Sequence, residues 1–286
     1  MDDLFESAWL KWSRAVIEAE ALKEEIDAWS RDEDTQRLNT VTPHYHPHRH
    51  GFVLTVDALA VPPPSIALTL STVAHHFRSS LDNIAWALVC RGDRPPAMLD
   101  ERRQRVVSFP VCDERVDFEN SLIDRGNRYA RLPGIKARDR AVVRKAQPYR
   151  HGKTKRPYHS LLILTTFNNV DKHRTLQPVI FLPERLAYEV TDHGDCLIRH
   201  MPSQARRKVL QVGAELTRFP VKRIGPDPYM KVEYQLATVP ALHETLSLEE
   251  WLTQTSKLIG AFLAVLGGMR DESREMVEFV MALASA

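Results

Sequence analysis

The sequence predicts an α+β protein, a bundle of about four long helices with a small antiparallel β-sheet packed on it or inserted into it. Three observations predict this. Apolar residues recur at three- and four-residue steps over four long stretches. They alternate with polar residues over several short stretches between 186 and 238. One more alternating stretch, 51–59, lies far upstream and must pair with strands distant in the chain, which argues for one interlocked domain over 1–286.

The first helix is expected over 3–30, where Phe5, Trp9, Trp12, Val16, Ala19, Leu22, Ile26 and Trp29 form an apolar stripe. Ser30 to His50 is polar and turn-rich and reads as a connection. Phe52, Leu54, Val56 and Ala58 alternate along the 51–59 strand. Pro62-Pro63-Pro64 ends that strand and positions a second helix over 65–91, with the stripe Val73, Phe77, Leu81, Ile84 and Leu88. Residues 97–157 are mixed, with short helices near 114–125 and 137–146. A third helix over 158–176 carries Ile163, Phe167 and Val170, and Pro178 and Pro183 close it. Leu186–Thr191, Cys196–His200, Val209–Phe219 and Met230–Thr238 read as an antiparallel meander with turns such as His193-Gly194-Asp195. Ser247-Leu248-Glu249-Glu250 has the form of a capping box and opens a last helix to about 269, followed by a tail, 270–286.

Composition narrows the classes of function. The chain has 286 residues, 43% hydrophobic and 27% charged, which suits a folded soluble protein. Its N-terminus opens acidic and then amphipathic, unlike a signal peptide. The apolar run Leu258–Met269 falls short of the roughly 18 residues of a membrane span. Cys90, Cys112 and Cys196 are widely spaced and read as reduced, mostly buried thiols, so a cytoplasmic protein without a membrane anchor is expected. Phosphate-cradling Gly-rich loops, the dinucleotide fingerprint, the serine-hydrolase elbow and His-Glu-x-x-His are all missing from the sequence, and no cofactor is assigned.

Charge is uneven although the net value is only +2. Residues 91–156 hold 18 Lys/Arg against 9 Asp/Glu, leaving the rest of the chain acidic. Such a segment suits RNA or another polyanion, or it is a solvated, loop-rich region whose arginines pair locally. Aromatic interleaving is limited to Phe109, Phe118, Tyr129 and Tyr149.

The densest polar cluster is Asn168-Asn169-Val170-Asp171-Lys172-His173-Arg174, at the end of an apolar helix. Asn169 and His173 are four apart and share a face, as do Arg78 and Asp82 on the second helix. Meeting between two helices, these groups suit a phosphate site with an imidazole acid/base: His173 and Arg78 catalytic, and Asp82, Asn169, Asp171, Lys172 and Arg174 binding or orienting. The same groups equally suit a buried network that fixes helix register. A separate tract offers His44, His46, His48 and His50 as weak metal-ligand candidates, set in a polar connection with no Cys or Glu to complete a site.

Four phrases occur in order: Phe77-Arg78-Ser79-Ser80-Leu81-Asp82-Asn83-Ile84-Ala85-Trp86, Phe109-Pro110, Gln147-Pro148-Tyr149 and Asn168–Arg174. Together, over roughly 50–240, they resemble a broad family of uncharacterised bacterial proteins with an "R-x-x-L-D" helix and an "N-x-D-K-H-R" helix. That resemblance implies that Arg78, Asp82, Asn169, Asp171, Lys172, His173 and Arg174 belong together. A looser likeness is to HEPN-type helical proteins, many of which are metal-independent RNases. Their pattern is Arg, four to six residues, then His, which wants Arg where Asn168 stands, five before His173. Arg37/His44 and Arg144/His151 match that range, but Pro43 and Pro148 break a helix across each.

The sequence thus supports an RNA- or phosphate-ligand-binding protein of HEPN-like architecture, with or without RNase activity. The alternative is a non-catalytic interaction module, in which the polar cluster is structural and the Trp-rich first helix meets a partner or a second copy.

Overall fold

The apolar stripes become buried helix and strand faces in the computed structural model, which describes residues 4–126, 128–152, 159–173, 180–199, 209–243 and 246–267, with the side chains of 170–173, 180–186 and 235–243 outside that set. It is a mixed helix and strand architecture with antiparallel sheet, as expected. The chain divides into two compact units, each assembled from segments far apart in sequence. Unit 1 comprises Met1–Leu22, Ala67–Gln177 and Trp251–Ala286, and unit 2 comprises Lys23–Ile66 and Pro178–Glu250.

Long helices dominate unit 1. Helix α1 (Glu6–Arg31) begins there, as do most of α3 (Pro64–Cys90), all of α7 (Ser160–His173) and most of α8 (Leu248–Phe262). The stripe residues Trp9, Trp12, Val73, Phe77, Leu81, Ile84 and Leu88 are all buried. Polar side chains tie the helices pairwise. The Ser80 hydroxyl of α3 donates to the Ala8 carbonyl of α1 at 2.8 Å, and the Trp12 indole of α1 donates to Ser256 O of α8 at 2.9 Å. Trp251 of α8 donates to Ser160 O of α7 at 3.2 Å. The buried tips of Ser80, Trp12 and Trp251 each find a backbone partner, as burial requires. Shorter helices α4 (Glu101–Val106), α5 (Arg115–Asn120) and α6 (Ala137–Lys145) fill the basic segment. Helix α8 gives way to a π turn over Leu263–Gly267.

Unit 2 holds the sheets. Strand β1 (Thr40–His46) pairs antiparallel with β2 (Gly51–Ala58), β2 with β5 (Glu215–Arg223), and β5 with the short β4 (Leu197–Ile198). A second sheet pairs β3 (Ile180–Asp192) with β6 (Lys231–His243), and β6 with β7 (Leu246–Ser247). Phe52, Leu54 and Val56 of β2 and Leu216 and Phe219 of β5 form the core of unit 2. Tyr234 bridges the sheets, its hydroxyl accepting from Val41 N at 2.9 Å and donating to Asn39 O at 3.1 Å. Gly51 is required where β2 meets β5, because a Cβ there would collide with the Phe219 carbonyl.

The upstream strand does pair with strands far along the chain, and the Ser247 capping box forms. Ser247 Oγ accepts from Glu250 N at 3.1 Å, and the Glu250 carboxylate accepts from Ser247 N at 3.2 Å. Other expectations need correction. Residues 30–50 are not a connection but contain α2 (Glu33–Leu38), capped by Asp32, and all of β1. Their polar composition hid a strand whose alternate residues face solvent, as antiparallel edges allow. The strands are not a meander, since β5 keeps β4 on one side but pairs with β2 on the other, while β6 pairs with β3 in a second sheet. Pro183 lies inside β3 beside a register shift, where a missing N–H is tolerated. The tail 270–286 lies outside the described residues.

His159 caps α7, its Nδ1 accepting from Leu161 N at 3.3 Å. Burial, reinforced by the His151 ring 4.7 Å away, drives its pKa down to about 4. The folded value lies below the unfolded value near 6.5, so the unfolded chain takes up the proton first as pH falls. The contribution is intact above pH 6.5 and is lost between 6.5 and 4, at no more than about 1.4 kcal/mol per pH unit before solvent screening. His159→Asn keeps a favoured cap without a titrating ring. Urea denaturation at pH 7 and pH 5 should therefore show a smaller acid-induced loss in the variant than in the wild type. An identical loss would remove His159 from the account.

Candidate functional site

Arg78 and Asp82 meet as the four-residue spacing on α3 dictates. Arg78 Nε donates to Asp82 Oδ2 at 3.2 Å and Nη2 to Oδ1 at 2.8 Å, a two-pronged contact. Nη2 also donates to the Phe109 carbonyl at 2.9 Å, and Asp82 Oδ1 accepts from Phe109 N at 2.9 Å. A longer contact of 3.5 Å joins Nη1 to Thr165 Oγ1 on α7. The Arg78 side chain is only 12% exposed against 38% for Asp82, so the guanidinium is spent on protein groups while the carboxylate edge reaches solvent.

Gln147 completes the arrangement from the other side. Fully buried, it accepts from Cys112 N at 3.0 Å and donates to Pro110 O at 2.9 Å and Val143 O at 3.1 Å. Tyr149 N adds a bond to Cys112 O at 3.3 Å. The phrases around Arg78, Phe109 and Gln147 thus converge on one irregular segment, Phe109 to Cys112. Burial also pushes the Cys112 thiol up to about 11, leaving it protonated and unreactive at neutral pH.

The other sequence candidates are placed differently. Asn168 is buried at 6% and Asn169 is exposed. Asp171, Lys172 and His173 form the last turn of α7, and their side chains lie outside the described set, as does all of Arg174. Thr165, which Arg78 touches, is eight residues before His173, about 12 Å of helix rise. The described contacts therefore join Arg78 to Asp82, Phe109 and Thr165. Trp9 and Trp12 are buried in unit 1, and Trp29 is half-buried in unit 2. The indoles of Trp9 and Trp12 are thus core groups.

The histidine tract is strand and turn. His44 and His46 lie on β1, His48 in the 3-10 turn Pro47–Arg49, and His50 in the left-handed region at φ 45°. His44 approaches Asp57 at 3.4 Å. Among the described residues, no three His, Cys, Asp or Glu side chains gather to hold a metal ion.

A feature unresolved at the sequence level emerges in the basic segment. Arg91, Arg103, Arg105, Arg115 and Arg144 pair with acids. A hairpin follows α5, with Arg131 N and Leu132 N both donating to Ser121 O and Arg125 and Arg128 bridging near its tip. Arg125, Arg128 and Arg131 are exposed on it and make no ion pair with a described residue. Beside them a cavity of about 300 Å³ is lined by Tyr129, Arg128, Arg131, Asp113 and Asp117. Arg103 lies over the Tyr129 ring at 5.2 Å. The local excess of Lys/Arg was the sequence signal for this surface, but which arginines pair depends on tertiary contacts. No family model, curated protein or solved structure matches the chain.

The arrangement around Phe109–Cys112 sets a stability test. Gln147→Ala strands a buried N–H and two carbonyls, and should cost about 2–4 kcal/mol in urea denaturation. Arg78→Ala leaves Asp82 without its cation and should cost about 3 kcal/mol. Losses under about 0.5 kcal/mol, the level of an ordinary surface change, would show that these side chains do not hold the segment.

Proposed function

We propose that the protein binds a phosphate-bearing polyanion, RNA in the first instance, on the arginine hairpin of unit 1, with Arg78 and Asp82 acting as structure within that unit. One observation carries this reading: Arg125, Arg128 and Arg131 are exposed on a single hairpin and make no ion pair with a described residue. Guanidinium forks match phosphate oxygens, and their charge steers an anionic chain. Tyr129 adds an aromatic group between them.

The HEPN likeness supports the same class of ligand. Contacts between α1 and α3, α3 and α7, α7 and α8, and α8 and α1 are those a four-helix bundle needs. In the catalytic form of this reading, in a cytosolic bacterial setting, His173 is the acid/base, and Asn169, Asp171, Lys172 and Arg174 surround it. Since Arg78 is occupied by Asp82 and Phe109, a phosphate-neutralising cation would come from Lys172 or Arg174. The second reading, a protein-interaction module, is favoured by one observation. Leu10 and Ile17, seven apart on the face of α1 opposite the buried tryptophans, are 61% and 57% exposed.

Fluorescence anisotropy with a short single-stranded RNA, without metal, tests the proposal. Binding should weaken steeply with salt, and Arg128→Glu combined with Arg131→Glu should weaken it by at least about tenfold. Cleavage of the same RNA by the wild type but not by a folded His173→Ala variant would establish the catalytic form. Binding that is absent, or indifferent to the hairpin charges, would overturn the proposal and move the search to protein partners on the Leu10/Ile17 face.

A further inference from the structure

On the other side of the same hairpin lies a cavity of about 390 Å³, within the range of small-ligand sites. Its apolar floor includes the buried Leu132 and Ile135, and Arg94 and Arg140 line it. Neither arginine makes an ion pair with a described residue. The one acid in the lining, Asp124, is already engaged, accepting from Arg103 Nε at 3.1 Å and from Ala130 N at 2.8 Å. The lining therefore includes two arginines without an ion pair among the described residues, beside an apolar surface.

The wall that carries Arg94 is built for close approach. Asp93 N donates to Gly134 O at 2.7 Å, and Gly134 sits at φ +68°. A Cβ on Gly134 would stand 2.7 Å from both the Arg94 backbone nitrogen and its Cβ, so glycine at 134 sets where Arg94 lies. Arg140 comes from the rigid frame of α6, whose Asp139 is held by Arg91 at 2.8 Å.

We propose that this cavity takes a terminal phosphate monoester, with the adjoining nucleoside on the Leu132/Ile135 floor, so that the protein distinguishes phosphate-ended RNA from hydroxyl-ended RNA. The inference rests on the RNA-binding reading above and specifies which part of the ligand is read. Charge selects the monoester. It carries about −1.5 to −2 near pH 7 and three acceptor oxygens, enough for two guanidinium forks. An internal phosphodiester carries one charge and fewer free oxygens, and it would leave one arginine uncompensated. Because the monoester loses its second charge near pH 6, the preference should fade below that pH.

The test compares one RNA octamer with a 5′-phosphate, with a 3′-phosphate, and with hydroxyls at both ends, alongside AMP and inorganic phosphate, each titrated against the full chain. One phosphate-ended form should bind about tenfold more tightly than the hydroxyl-ended form. Its advantage should collapse to near unity in Arg94→Ala and in Arg140→Ala, both surface changes that leave the fold intact. AMP should compete for the site, and inorganic phosphate should compete more weakly for want of the apolar contact. Equal binding of all three ends would overturn this inference while leaving the RNA reading standing, and so would a preference retained in both variants. If no RNA binds, the RNA reading fails. The cavity assignment then stands only if AMP binds and Arg94→Ala abolishes that binding, and it falls otherwise.

Discussion

Unit 1 is organised around a segment that belongs to no sheet or helix. Phe109 to Cys112 is buried at Phe109, Pro110 and Cys112, yet Phe109 N and O, Pro110 O and Cys112 N are all met by side chains. Asp82 accepts from one end, Arg78 donates to the same end, and the Gln147 amide serves the other. Buried backbone groups without partners are costly, so these three side chains allow an irregular chain to cross the interior. From there the constraint propagates outward. Ser108 N donates to Arg131 O, which ties the clamped segment to the base of the arginine hairpin.

This constraint changes how the polar residues of α3 are understood. An arginine with its forks on Asp82 and Phe109, and nearly sealed from solvent, does not also hold a phosphate without dismantling its own support. Among the described residues, arginines without an ion pair stand on the hairpin and around the adjoining cavity. Their positions follow from the clamp and from the glycine contact at residue 134. Arginines that pair with acids and arginines that do not sit within a few residues of each other, and only their partners separate the two groups.

Much of the fold was legible because period carries it. The stripes Trp9/Trp12 and Phe77/Leu81/Ile84 have helical spacing, and Ser247-x-x-Glu250 is a local cap that forms as written. Strand β1 was not legible, since His44, Tyr45 and His46 alternate on a half-exposed edge where composition resembles a loop. Pairing of β5 with β2 depends on long-range contacts that no local pattern specifies. Arg78 and Asp82 were legible as a pair because an i, i+4 spacing is a local fact. Gln147 as their counterpart was not, because nothing within its own neighbourhood reveals that Cys112 and Pro110 fold against it. The charge excess over 91–156 announced a basic surface, but sorting Arg91 from Arg94 or Arg128 from Arg144 required knowing where the acids lie.

Residue-resolved amide hydrogen exchange at Phe109 and Cys112 tests the clamp most directly. Both amides bond to side chains rather than to a helix or sheet, so a surface-like segment and a clamped one give opposite results. Protection comparable to the α3 interior is expected at both positions, with Phe109 released in Asp82→Ala, which removes its acceptor, and Cys112 released in Gln147→Ala. Exchange at the rate of an open loop in the wild type would contradict the clamp.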